Sequence, residues 1–330
     1  MWAPTGVGTW SHDRDDEVGG PPPSVTGPLA PGAPTRIATG VTRVVAPNPG
    51  MMTGPGTNTY LVGTGGAGQG DVAVVDPGPD RPEHLDALLA AVEADGSQVR
   101  WVLVTHTHPD HAPGAASLAR RTGAEVLGFG PGPSFTPDRA IGDGFRLAIG
   151  SLYLEAVHTP GHAADHLCYL LDLPGAAGGD ATASHPRPAG RRLVLAGDHV
   201  MEGATVVIAP PGGDMAAYLA SLARLQALDP PLDAIAPGHG HLLAGPEEVL
   251  AGIVSHRLAR EAKVAMSLAA VSQATVDDLL PAVYDDVHEA LHPIARYSLW
   301  AHLRKLGAEG RAWSDDPDDL QAVWLPAAAG

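Results

Sequence analysis

Residues 101–114 read WVLVTHTHPDHAPG, an apolar run that ends directly in His106, His108, Asp110 and His111. The run is short and β-branched, which predicts a buried strand. PGAASLARRTG follows and predicts a helix ending at Gly123. The stretch is therefore committed to strand, ligand-bearing loop and helix. His106 and His108 alternate along an extended segment, so both rings face one side. Asp110 and His111 lie on the turn into the helix and face a neighbouring point. That layout suits two metal ions a few ångströms apart, the separation used by two-metal hydrolases.

The chain has 330 residues, enough for one large domain with an appendage. With 44% apolar and 17% charged residues it reads as soluble and globular. No apolar run approaches a membrane span, and no basic start precedes an apolar stretch, so no secretory signal is visible. The abundance of Ala, Gly, Pro and Arg points to a bacterial gene. The formal charge of −17 repels polyanions on average. Cys168 is the single cysteine and sits in the strand-like HLCYLL, so a buried thiol and a reducing, cytoplasmic setting are expected.

Residues 1–35 are rich in Pro and Gly and predict a mobile tail, in which His12 and Asp13 are solvated. From residue 36, RIATGVTRVVAP, TNTYLVG and DVAVVDPG predict successive strands, and RPEHLDALLAAVEADG a helix closed by Gly96. A second series follows: SLYLEAVHTPGH, DHLCYLL and RRLVLAGDH as strands, then GDMAAYLASLARLQALD as a helix using Leu219, Leu222 and Leu225. LDAIAPGHG adds a further strand and loop. Two similar halves suggest sheet packed on sheet with helices on both outer faces. The segment 174–191 reads as a flexible insertion that keeps His185 away from any site. Domain boundaries are expected at 36–245 for the catalytic part and 246–330 for a connecting helix and a small α-rich module. In the connecting helix, Leu250, Val254, Leu258, Ala262 and Ala265 should track one face. In the module, Thr275 should cap a helix, and RAW and AVWL should pair as a wing.

A complete two-metal site needs more ligands, and the loop ends offer His162 in HTPGHAADH, Asp198 in LAGDHV and His239 in APGHGH. In the order THTHPDH, TPGH, GD and PGHG, the set resembles the metallo-β-lactamase superfamily over residues 36–271. The resemblance implies an αββα sandwich, an α/β fold. It implies that His106, His108 and His162 hold one metal, that Asp110, His111 and His239 hold the second, and that Asp198 bridges both. GPGTNTYLVG, HTPGHAADHLCYLL and the C-terminal ARYSLWAHLRKLGAEGR are similar to the lactamase-beta-like protein 2 branch, with its winged-helix-type appendage.

Imidazole and carboxylate ligands without thiolate suit two zinc ions, with Mn or Fe as alternatives. The expected activity is hydrolysis by a metal-bridging hydroxide, with Asp110 orienting it and accepting its proton. Two substrate classes are open. Single-stranded RNA is implied by the branch, with Arg257, Arg260, Lys263, Arg296, Arg304, Lys305 and Arg311 as a basic face and Tyr297, Trp300 and His302 as base-stacking candidates. A small ester, thioester or lactone fits the acidic charge better. A third reading, a non-catalytic protein with a structural metal, suits so full a ligand set poorly. Thr57 and Asn58 are candidate substrate donors, unless GPGTNTY merely shapes a hairpin. His166 is a candidate partner for a ligand carboxylate, and His199 and His241 are candidates to line the pocket. A homodimer is the working expectation for assembly.

Overall fold

The computed structural model describes residues 29–63, 70–173 and 191–327. Most of the Pro/Gly-rich tail, with His12 and Asp13, lies outside the described residues, as does the segment 174–190 with His185.

Period-two apolar runs build two sheets. The first holds seven strands in chain order: β1 (Thr35–Ala38), β2 (Val41–Val45), β3 (Asn58–Val62), β4 (Asp71–Val75), β5 (Gln98–Leu103), β6 (Glu125–Gly128) and β7 (Arg139–Ala140). Strands β1 to β4 pair antiparallel, and β4 to β7 run parallel. The first two parallel crossovers are made by α1 (Pro82–Ala94) and α2 (Gly114–Thr122). The second sheet holds β8 (Arg146–Ile149), β9 (Leu152–His158), β10 (Leu167–Asp172), β11 (Arg192–Gly197), β12 (Ala234–Pro237) and β13 (Leu243–Ala244), again as sequential neighbours. Only β11 and β12 pair in parallel there, with α3 (Met215–Gln226) between them in the chain.

The alternation of side chains decides the layers. Ala73 and Val75 of β4 face the other sheet, where they join Tyr60, Leu103, Leu154, Leu167, Tyr169 and Leu195 in the central core. Val72 and Val74 face outward and are covered by Leu85 and Leu88 of α1 and Leu118 of α2. On the opposite outer face, Cys168, Leu170, Val194 and Ala196 lie under Tyr218, Leu222 and Leu225 of α3. This is the αββα sandwich expected from the sequence. The Cys168 thiol is buried within it, and burial pushes its pKa up to about 12, so it stays a protonated core side chain.

The long helix α4 (Pro246–Ala269) joins two cores. Its first half lays Leu250, Ile253 and Val254 on the outer face of the second sheet. Its second half puts Val264 and Leu268 against α5 (Val276–Val283), α6 (His292–Ala308) and Trp324. The expected single apolar stripe therefore breaks: Leu258 is 48% exposed and Ala262 is also exposed. The buried face turns to Arg257, Arg260, Glu261 and Val264 because the helix changes partners halfway. Thr275 caps α5 as expected, in a reciprocal box with Asp278. The wing also forms, as β14 (Ala312–Trp313) antiparallel to β15 (Leu325–Pro326). Among the described residues no helix is long and apolar enough to cross a membrane.

Candidate metal centre

Strand ends from both sheets meet at one end of the sandwich. His106, His108, Asp110 and His111 occupy the loop between β5 and α2. His162 lies between β9 and β10, Asp198 directly after β11, and His239 just beyond the end of β12, with only Gly238 between. The turn before His162 needs glycine: Gly161 has φ +146°, and a Cβ there would stand 2.3 Å from the Tyr218 Cα.

All seven expected ligands converge, in two groups. In the first, His108 Nδ1 lies 3.0 Å from His106 Nε2 and 3.0 Å from His162 Nε2. In the second, His239 Nε2 lies 3.2 Å from Asp110 Oδ2 and 3.2 Å from Asp198 Oδ1, and His111 Nε2 lies 3.4 Å and 3.3 Å from the same two oxygens. Asp198 stands between the groups: its other oxygen, Oδ2, is 3.8 Å from His162 Nε2. The pairing of His106 with His108, and of Asp110 with His111, matches the alternation read from the sequence.

The donor chemistry fits metal ions. Ligand atoms around one tetrahedral zinc at about 2.0–2.1 Å would stand about 3.3 Å apart, close to these separations. His106 Nδ1 donates to Thr105 Oγ1 at 3.0 Å, His111 Nδ1 to Asp76 Oδ2 at 2.9 Å and His162 Nδ1 to the Val207 carbonyl at 2.8 Å. His239 Nδ1 donates to the Gly56 carbonyl at 3.3 Å. With Nδ1 so engaged, Nε2 is the nitrogen that each of these four rings turns toward its group, where it can offer a lone pair to an ion. His111 Nε2, His239 Nε2 and Asp198 Oδ1 are buried with no hydrogen-bond partner. Such atoms call for a cation.

Electrostatics agree. Burial, reinforced by the neighbouring His162 and His111, holds His108 down to about 4, so its ring is neutral and able to serve as a ligand. Burial would raise Asp198, yet His111 and His239 keep it well below the usual carboxylate range. Burial would lower His239, but the Asp110 and Asp198 carboxylates push it up to about 9. In the second group the two imidazoles and the two carboxylates thus hold one another charged, and a divalent ion would take the place of the two inner ring protons.

Asp76 was not singled out in the sequence. It follows β4 with φ +53°, a backbone region uncommon for a residue with a side chain. Its carboxylate accepts from Thr105 N at 2.7 Å, from Thr105 Oγ1 at 2.8 Å and from His111 Nδ1. It therefore orients ligands of both groups. The only local signal was an acid closing an apolar strand, DVAVVDPG. We expect Asp76→Ala to weaken metal binding about 10–100-fold, the usual effect of removing a group that orients a ligand. Titration of the metal-stripped variant checks this, and unchanged affinity would contradict it.

The expected substrate contacts need correction. Thr57 and Asn58 are fully buried. Asn58 spends both amide hydrogens on the Pro237 and Gly240 carbonyls, each at 2.9 Å, and Thr57 Oγ1 accepts from Asn48. They brace the His239 turn and offer nothing to a substrate. His166 bonds Thr159 Oγ1 at 2.9 Å, not a ligand carboxylate, and its ring lies behind His106 with centroids 5.0 Å apart. His199 is fully buried, edge-on to Tyr218, so it does not line an open pocket. His241 is half-buried, and its backbone N–H donates to Glu202 Oε2 at 2.7 Å.

Comparison with known proteins agrees with this geometry. Residues 52–239 match the family model of the metallo-beta-lactamase superfamily, and residues 275–319 match the beta-lactamase associated winged helix domain. A beta-lactamase-like protein 2 homolog of Caenorhabditis elegans is 28% identical, over 83% of this chain and 86% of that protein. A protein of Emericella nidulans named thioesterase pkgB is 32% identical, over 73% of this chain and 63% of that protein. The crystal structure of a beta-lactamase domain protein from Burkholderia ambifaria shares the fold with TM-score 0.70 and 21% identity, covering 92% of this chain and 98% of that one. With all seven expected ligands inside the matched span and the winged-helix match on α5 and α6, the chain belongs to the metallo-β-lactamase superfamily of metal-dependent hydrolases.

Proposed function

We propose that this chain hydrolyses a small carboxyl thioester or ester at a pair of divalent ions, zinc by the chemistry of the donors. The observation that carries the two-ion reading is Asp198, whose two oxygens face different ligand groups. His106, His108 and His162 would hold one ion, and Asp110, His111 and His239 the other. When bound, such a pair activates water and polarises the scissile carbonyl. Within the second group, Asp110 is the most open side chain, 25% exposed against 11% for Asp198 and 3% for His239. His111 and His239 hold it ionised, below the usual carboxylate range although burial opposes this. An ionised carboxylate with access to the pocket can accept a hydrogen bond from the attacking water and so orient it.

The substrate class is argued from charge. The basic residues expected to bind RNA are occupied within the protein. Arg260 pairs with Asp286 at 2.7 Å, Arg296 with Asp277 at 2.9 Å and Arg304 with Asp318 at 2.7 Å. Lys263 pairs with Asp285, while Lys305 and Arg311 both reach Glu261. Arg257 is buried against the Val206 carbonyl and the Tyr218 ring. Trp300 and His302 are buried in the module, leaving only Tyr297 partly exposed among the stacking candidates. A polyanion gains little from cations already neutralised. An uncharged acyl group at the ions does not require them, and a relative carries the name thioesterase.

The ion-loaded protein should be assayed in parallel on acyl thioesters, lactones, bis-p-nitrophenyl phosphate and single-stranded RNA, with Asp198→Ala as the blank. Thioester or lactone turnover that vanishes in the variant is the expected result. Variant-sensitive RNA cleavage without acyl turnover would overturn the substrate class. The absence of any variant-sensitive turnover would overturn the hydrolase reading.

A further inference from the structure

The turn after β12 carries His239, and the first sheet clasps it from across the sandwich. The Asn58 amide donates to Pro237 and Gly240, the carbonyls on either side of His239. The Asn58 backbone N–H donates to the Gly238 carbonyl at 2.7 Å. Thr57 pairs with His239 as an isolated antiparallel bridge. Tyr60 Oη donates to the Pro237 carbonyl at 2.6 Å, and Arg43 to the Gly240 carbonyl at 3.3 Å. The first ligand group is held differently, by Thr105 behind His106 and by the Val207 carbonyl behind His162. None of these bonds to the clasp.

We infer that Asn58 is a positioning residue for the second ion alone. Its side chain fixes where His239 Nε2 points relative to Asp110 and Asp198, so the affinity of that group for metal depends on it. The affinity of the His106–His108–His162 group does not. The reason is geometric. A buried carboxamide with two donors matches two carbonyls that flank a single ligand, and among the described residues no other side chain hydrogen-bonded to this turn bridges both. Without those donors each carbonyl keeps a single partner, Tyr60 Oη on Pro237 and Arg43 on Gly240, and the turn loses the one side chain that ties its two sides together around His239.

The inference rests on the two-ion reading, and its test separates the two. The full chain, stripped with a chelator, is titrated with Zn2+ while heat and metal content are followed, alongside Asn58→Ala and the isosteric Asn58→Asp. Circular dichroism and thermal unfolding of the metal-free forms establish that the variants tested are folded. Wild type is expected to bind two ions per chain. In either variant the event assigned to the three-His group should stay within about twofold, and the second should weaken about tenfold or more. A folded variant that keeps both affinities, or loses both equally, overturns the role of Asn58. A wild type that binds fewer than two ions overturns the two-ion reading itself.

Discussion

Asp198→Ala is expected to lower kcat/KM on any substrate by about 10^3-fold or more, roughly 4 kcal/mol of barrier, and to cut bound metal per chain. Its two oxygens are the atoms common to both ligand groups: Oδ1 faces His111 and His239, and Oδ2 faces His162. Removing one terminal ligand, such as His162, spoils one group. Removing Asp198 opens both, and it leaves His111 Nε2 and His239 Nε2 in buried space with only Asp110 opposite. The core is not expected to fail with the site. Asp198 lies beyond the last residue of β11 and is a member of neither apolar cluster that the second sheet contributes to. Metal content by atomic emission, turnover and thermal unfolding of the metal-free form check the three parts separately. Turnover within tenfold of wild type would refute the shared-ligand role.

The site was more legible in the sequence than its supports. Ligands cluster in six consecutive positions and at the ends of apolar runs, and both are local patterns. His162, Asp198 and His239 could be read because each lies within four residues of the end of a strand rich in Val, Leu, Ile or Ala. What holds them could not be read, because each hold is a long-range contact. Asp76 meets His111 across 35 positions, and Asn58 meets Gly240 across 182. Asn58 illustrates the difficulty: a polar side chain near a ligand loop looks the same in sequence whether it faces substrate or a carbonyl. The surroundings of the seven basic residues of the C-terminal part were hidden for a related reason: most of their acidic partners come from other elements and are invisible to periodicity. The strands β6, β7, β8 and β13 were missed as well, being only two to four residues long.

The addition of one methyl group should disable the centre as surely as the loss of a ligand. Gly238 lies beneath both carboxylate-bearing loops: its N–H donates to the Gly197 carbonyl at 2.7 Å, and its own carbonyl accepts from Asn58 N. A Cβ built there would stand 2.5 Å from Asp198 Oδ1, 2.9 Å from His111 Cε1 and 3.0 Å from the Gly197 carbonyl carbon. Ordinary contacts lie at about 3.5–4.0 Å, so the overlap is about 1 Å. Neither neighbour can yield cheaply. His111 is fully buried and tied to Asp76, and Asp198 has His111 and His239 on one oxygen and His162 on the other. The carboxylate must therefore leave its place between the two groups. Gly238→Ala is expected to cost about 1–3 kcal/mol of stability through overpacking. Its kcat/KM should fall about 10^2-fold or more, since displacement of the order of an ångström disrupts a preorganised site. Gly212→Ala is the matched control, because a Cβ at Gly212 meets nothing within 4 Å. A folded Gly238→Ala with the turnover of Gly212→Ala would mean that Asp198 and His111 can move freely, and a centre built on their fixed separation would have to be abandoned.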